Sequence, residues 1–142
     1  MAAKHILVGV DFSKQSQRTI EEVGEYAEAN RSKVTLIYVT DPQAFVPPQA
    51  VLLPEAWRPT EETYKADLDK LRDELLPGLD AQTVVITDHA PARAICDYAR
   101  EHDVDLIAIG SIGHGRVERW LIGSVAERVV RHAHCNVLVV RQ

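Results

Sequence analysis

Asp105-Leu-Ile-Ala-Ile-Gly110-Ser-Ile-Gly113, then nine residues, then Gly123-Ser-Val-Ala-Glu-Arg-Val-Val-Arg131, is the stretch that decides the fold. Its first part, Asp105 to Gly110, is a short continuous apolar run, the pattern of a buried strand. Its last part predicts a helix from Gly123 to His134, with Ile122, Ala126, Val129 and Ala133 on one face. A strand that opens into a glycine-bearing loop and then a helix N-terminus suits an anion. Glycine allows close backbone approach or positive φ. The unpaired N–H groups and the positive end of the helix dipole favour negative charge.

Outward from that stretch, strand-like and helix-like patterns alternate. His5 to Val10 is an apolar run, and Ser13 to about Arg31 is helical, with Ile20, Val23 and Ala27 at helical spacing. Lys33 to Thr40 reads as a second strand. Thr60 to Leu76 reads as a helix with Tyr64, Leu68, Leu71 and Leu75 on its face, stopped by Pro77-Gly78. Thr83 to Thr87 is a β-branched strand, Pro91 to His102 a helix opened by proline, and Asn136 to Arg141 the last strand. Continuous apolar strands separated by amphipathic helices predict an α/β, doubly wound parallel sheet of five strands with helices on both faces. Ligands in such sheets bind at the carboxyl ends of the strands, where the strand order reverses.

The chain has 142 residues, enough for one domain spanning 1–142 with a sizeable core. Hydrophobic residues are 46% and charged residues 26%, a globular balance. The net charge of −5 argues against nonspecific nucleic-acid binding, which needs a basic surface. Cys96 and Cys135 form no CxxC motif and are read as reduced thiols. No apolar run is long enough to span a bilayer and none resembles a signal peptide, so a cytoplasmic location is expected. Asp41 to Pro59 breaks the rhythm with five prolines between Phe45, Val46, Leu52, Leu53 and Trp57. It is either a loop packed over the sheet edge or a lid or partner surface beside the crevice.

Other phosphate signatures fail. There is no G-x-x-x-x-G-K-[ST]. The first βα turn, Gly9-Val-Asp11-Phe-Ser13, lacks G-x-G-x-x-G, and Gly113-His-Gly115 is followed by Glu118 where a third glycine belongs. His132-Ala-His134-Cys135 is a single cluster, better explained as a polar helix end than as a zinc site. Ser111 and Ser124 lack a nucleophile elbow, so no catalytic residue is assigned.

Taken together, Val8-Gly-Val-Asp11-Phe-Ser13, Leu36-Ile-Tyr-Val39, Asp105 to Gly115, Gly123 to Val130 and Cys135-Asn-Val-Leu-Val-Val140 resemble the universal stress protein family over essentially the whole chain. In that family the pattern G-x2-G-x9-G-[S/T] marks the members that bind ATP, and Gly110, Gly113, Gly123 and Ser124 complete it here. The resemblance implies the strand order 3-2-1-4-5. It also implies a stress-response sensor or regulator that binds ATP, with Mg²⁺ carried by the phosphates. Carried over, Asp11 and Val39 match adenine and ribose contacts, Gly9 lies close to the base, and Ile109 and Gly110 lie against the ribose. Gly113, His114, Gly123, Ser124 and Val125 match the phosphate-binding part. The family further implies a homodimer through strand 5, Asn136 to Arg141, whose apolar edge has few guards. Asn136 departs from a frequent proline, and His89-Ala-Pro91 lacks a frequent glycine.

Three readings stay open on residues alone. The glycines can serve only a tight turn and a helix cap, with Asp11 or Ser13 capping the first helix. A slow Mg-dependent ATPase or an autophosphorylating enzyme is the alternative to a regulator. A receiver-like phosphoacceptor domain shares the architecture but needs an acidic pair where Asp11 stands alone.

Overall fold

The computed structural model describes residues 2–42, 54, 59–112 and 122–141. The described elements are β1 His5–Gly9, α1 Lys14–Asn30, β2 Lys33–Thr40, α2 Glu61–Leu75, β3 Ala81–Thr87, α3 Pro91–Glu101, β4 Leu106–Gly110, α4 Ser124–His132 and β5 Asn136–Val140. The five strands form one parallel sheet in the order β3-β2-β1-β4-β5. This is the predicted doubly wound α/β fold.

Strand alternation sorts the core into two layers. Ile6, Val8 and Val10 with Val34, Leu36 and Ala108 face one side, where they pack on Ile20, Val23 and Ala27 of α1 and Leu68 of α2. Leu7, Ile37, Ile107 and Ile109 face the other, against Ala92, Ile95, Cys96 and Ala99 of α3 and Ala126 and Val129 of α4. The helical faces read from spacing are buried on α1 and, at Ala126 and Val129, on α4; on α2 only Leu68 is fully covered, and Ile122, read as part of the α4 face, precedes the helix and is exposed. Leu138 on β5 is 42% exposed because it lies on an edge strand.

The helix starts are made locally. Ser13 caps α1 by accepting the Ser16 N–H at 3.1 Å, which settles the cap in favour of Ser13 over Asp11. Thr60 and Thr63 form a reciprocal box at the start of α2. Gly78, at φ 76, turns the chain after α2 where a side chain would be strained. Some boundaries differ from the sequence reading. Helix α4 ends at His132, not His134, because Ala133 is already extended (φ −63, ψ 141). Gly123 is its N-cap rather than its first residue. Strand β3 starts two residues early, at Ala81, drawn in by pairing with Val34. Asp105 lies outside β4, and its carboxylate accepts the N–H groups of Lys4 and His5 at 2.9 and 3.2 Å.

The amino end of the sheet is closed by a chain of side-chain hydrogen bonds. Gln82 Nε2 donates to Thr35 Oγ1 at 3.1 Å, and Thr35 pairs with His5 Nε2 at 2.8 Å. His5 Nδ1 lies 3.2 Å from the His102 carbonyl. A carbonyl only accepts, so Nδ1 carries the proton, and in the neutral ring Nε2 accepts from Thr35. Burial favours that neutral imidazole. Burial lowers the His5 pKa from its ordinary 6.5, with Lys33 and His102 acting in the same direction against the His102 carbonyl and Asp105.

In the unfolded chain His5 binds its proton more readily than in the folded one. Stability is therefore full above about pH 6.5 and falls as pH drops below it towards the folded pKa. Thermal melts at about pH 7.5 and about pH 5.5 should show a smaller loss of Tm for His5→Gln than for the wild type. Equal losses would mean that His5 is not the group that titrates.

Candidate functional site

Strands β1 and β4 pair only from Ile6–Leu106 to Val8–Ala108. Beyond that point they part. β1 stays with β2 through Gly9–Ile37 and a 2.9 Å bond from the Val10 N–H to the Ile37 carbonyl. β4 stays with β5 through Gly110–Val140. The space between the diverging ends is a cavity of about 290 Å³, at the low end of small-molecule sites.

Every described residue of the expected site lines this cavity: Gly9, Asp11, Val39, Ile109, Gly110, Gly123, Ser124 and Val125. Gly113 and His114 lie outside the described residues, as does most of the 41–59 segment. The lining also includes Tyr38 and Ser111, and Pro91 and Ile95 of α3, which the sequence reading did not pick out. Nothing local in the sequence distinguishes an apolar helix residue of the core from one, like Ile95, at the mouth of a crevice.

The walls differ in chemistry. Ile37, Val39, Ile95 and Ile109 make an apolar flank, continuous with the core beneath α3 and α4. Gly9 leaves this flank open. A Cβ there would stand 3.4 Å from Ile109 Cδ1 and 3.5 Å from Ile95 Cδ1, ordinary contact distances. The missing side chain therefore enlarges the cavity rather than relieving a clash.

On the β4 side, Gly123, Ser124, Val125 and Ala126 bring the first turn of α4 to the cavity. The first N–H groups of a helix have no acceptor inside it. Helix α1 supplies one through Ser13, whereas glycine as the N-cap of α4 makes no side-chain cap bond. The dipole of α4 thus opens into the cavity with uncapped donors. Glu127 in the same turn is paired with Arg131 at 2.8 Å.

On the β1 side stands Asp11, whose Oδ1 accepts the Ser13 N–H at 2.9 Å and the Ser13 hydroxyl. The next residue, Phe12, has φ 62, a left-handed conformation that costs a bulky residue about 1–3 kcal/mol. An aromatic cluster holds it, with Tyr38 at 4.8 Å between ring centroids and Tyr64 of α2 at 6.3 Å. Burial, with Tyr64 and the Asp11 carboxylate nearby, pushes the Tyr38 pKa up to about 12. Its phenol remains protonated at neutral pH.

Gly110 lines the cavity, but its missing Cβ serves the opposite side of the sheet. A Cβ there would lie 2.7 Å from Gln15 Cγ of α1, too close for any real contact. Among the described residues no three His, Cys, Asp or Glu side chains gather as a metal site, and no helix is long and apolar enough to cross a membrane.

A chain of this sequence and fold is matched by known proteins. The model of the Universal stress protein family covers residues 2–141. Universal stress protein MJ0531 of Methanocaldococcus jannaschii is 32% identical over 146 residues, spanning 98% of this chain and 82% of its own. The structure of universal stress protein UspA from Lactobacillus plantarum superposes with a TM-score of 0.78 at 30% identity, over 97% of each chain. A universal stress protein solved in complex with cAMP superposes at 0.72 with 26% identity, over 99% of each chain. With this topology, this crevice and a family match over nearly its whole length, the chain belongs to the universal stress protein family.

Proposed function

We propose that the cavity binds an adenine nucleotide, ATP with Mg²⁺, and that the chain acts through its bound state as a stress-response sensor or regulator. The observation that carries this reading is the uncapped N-terminus of α4 opening into a cavity with an apolar flank and a carboxylate on its other side. Each wall suits one part of a nucleotide. The apolar flank of Val39 and Ile109 takes the base and the ribose face. The Asp11 carboxylate accepts from an amino group or a ribose hydroxyl. Gly110 lies against the ribose, and the N–H groups of Ser124 and Val125, with Gly113, His114 and Gly123, take the phosphates. The complex of a 26% identical relative with cAMP supports an adenine nucleotide as the ligand class.

Magnesium enters with the phosphates, which supply oxygen ligands of the kind it prefers. Regulation is favoured over turnover because Asp11 is the one carboxylate in the described lining, with no histidine, lysine or arginine beside it there. The exposed Leu138 on edge strand β5 supports a homodimer formed through Asn136 to Arg141.

Calorimetric titration of nucleotide-free protein with ATP·Mg²⁺ tests the reading. The wild type should bind saturably and Gly123→Val should not. Gly123 has φ −65 and ψ 157, a backbone open to any residue, so valine tests space rather than conformation. Absence of wild-type binding at millimolar ATP would overturn the proposal.

Gly9→Ala probes the apolar flank. The methyl group fits the protein at ordinary contact distances, so Tm should move by no more than a few degrees. The Kd for ATP should rise about tenfold, because the methyl occupies ligand space. A large fall in Tm with unchanged affinity would place the Gly9 side-chain position in the packed core instead.

A further inference from the structure

We infer that Gln15 is a positioning residue, which holds the two feet of the glycine loop in place through the carbonyl of Val140. The inference rests on the nucleotide reading of the cavity for its effect on affinity. The geometry behind it stands independently.

Gln15 lies in the first turn of α1 and is buried, with 7% of its surface exposed. Its Nε2 donates to the Val140 carbonyl at 2.8 Å, a contact across 125 positions of sequence. The same carbonyl accepts the Ser111 N–H at 2.9 Å, and the Ser111 carbonyl accepts the Gly123 N–H at 2.6 Å. Both lone pairs of Val140 are therefore used. Ser111 leaves β4 and Gly123 caps α4, so Gly123 is tied to Ser111, and Ser111 to the Val140 carbonyl on the edge strand. Gln15 ties that acceptor to α1. The Thr19 hydroxyl donates to the Gln15 carbonyl at 2.9 Å and fixes the turn from which the side chain reaches.

The side chain passes directly beneath Gly110, where its Cγ stands 2.7 Å from the position a Cβ would take. Gln15 and Gly110 are thus a matched pair. Glutamine supplies a donor at the right reach, and glycine supplies the passage. Leucine fills the same space without a donor. Glutamate presents a second acceptor to a carbonyl, which repels it. If Val140 shifts, Ser111, Gly123 and the first turn of α4 shift with it, and these residues line the cavity.

Amide hydrogen exchange of the full chain tests this directly, with Gln15→Leu against the wild type. The expected result is a rise of about tenfold in exchange at the Ser111 and Gly123 amides, beyond any change at the core amides of Val8 and Leu36. ATP·Mg²⁺ affinity should fall by a similar factor. No change at Ser111 and Gly123, or an equal change at the core amides, would overturn the inference. So would a local rise in exchange with unchanged affinity. A wild type that binds no ATP defeats the nucleotide reading alone, and the exchange pattern then decides the positioning role.

A double-mutant cycle tests the matched pair. Gly110→Ala should lower Tm sharply in the wild type and much less in Gln15→Ala, where the crowding atom is gone. Additive losses would contradict the pairing.

Discussion

After Val8 and Ala108, β1 and β4 stop exchanging hydrogen bonds and turn to different neighbours. The arrangement at the carboxyl end of the sheet depends on this parting. Backbone groups freed from one ladder must find other partners. Val10 finds the Ile37 carbonyl on β2, and Ser111 finds the Val140 carbonyl on β5. The two halves of the sheet are thereby closed on their outer sides and open between them. A central strand whose neighbours connect in opposite directions creates this gap in any doubly wound sheet. The sequence at the gap decides what it can hold: Gly9 leaves it wide, Asp11 gives it a carboxylate, and Gly123 leaves the helix behind it uncapped.

The two ends of the sheet solve opposite problems with similar materials. At the amino end, Gln82, Thr35, His5 and the His102 carbonyl bond to one another, and Asp105 takes up two backbone N–H groups. Polar groups there are spent on each other, and burial lowers the His5 pKa. At the carboxyl end, α4 begins without a side-chain cap and its first turn lines the cavity. Capping α4 with Ser, Thr or Asp in place of Gly123 would favour folding by roughly a few tenths of a kcal/mol, but it would occupy a donor facing the crevice. That contrast is the physical content of calling one end structural and the other a site.

Much of this was legible in the sequence because it is periodic or local. Continuous apolar runs marked all five strands, and Pro77-Gly78 and Pro91 marked helix ends. The spacing of Gly110, Gly113, Gly123 and Ser124 pointed to the crevice before any topology was known. Strand edges were less legible where a partner strand or a single polar group decides them, as at Ala81 and Asp105. The Gln15–Gly110 fit was not legible at all. Gln15 looks like any polar residue in a first helical turn, and its partner Val140 is 125 positions away. Gly110 looked like a ligand-facing glycine, whereas its missing side chain makes room for α1.

Two-dimensional NMR of backbone amides during an ATP·Mg²⁺ titration tests the central claim most directly. The account predicts saturable shifts at Gly9, Val39, Ile109, Ser124 and Val125, with His5, Lys33 and Asp105 at the far end of the sheet unmoved. Shifts confined to residues away from the cavity, or none at millimolar ATP, would contradict it.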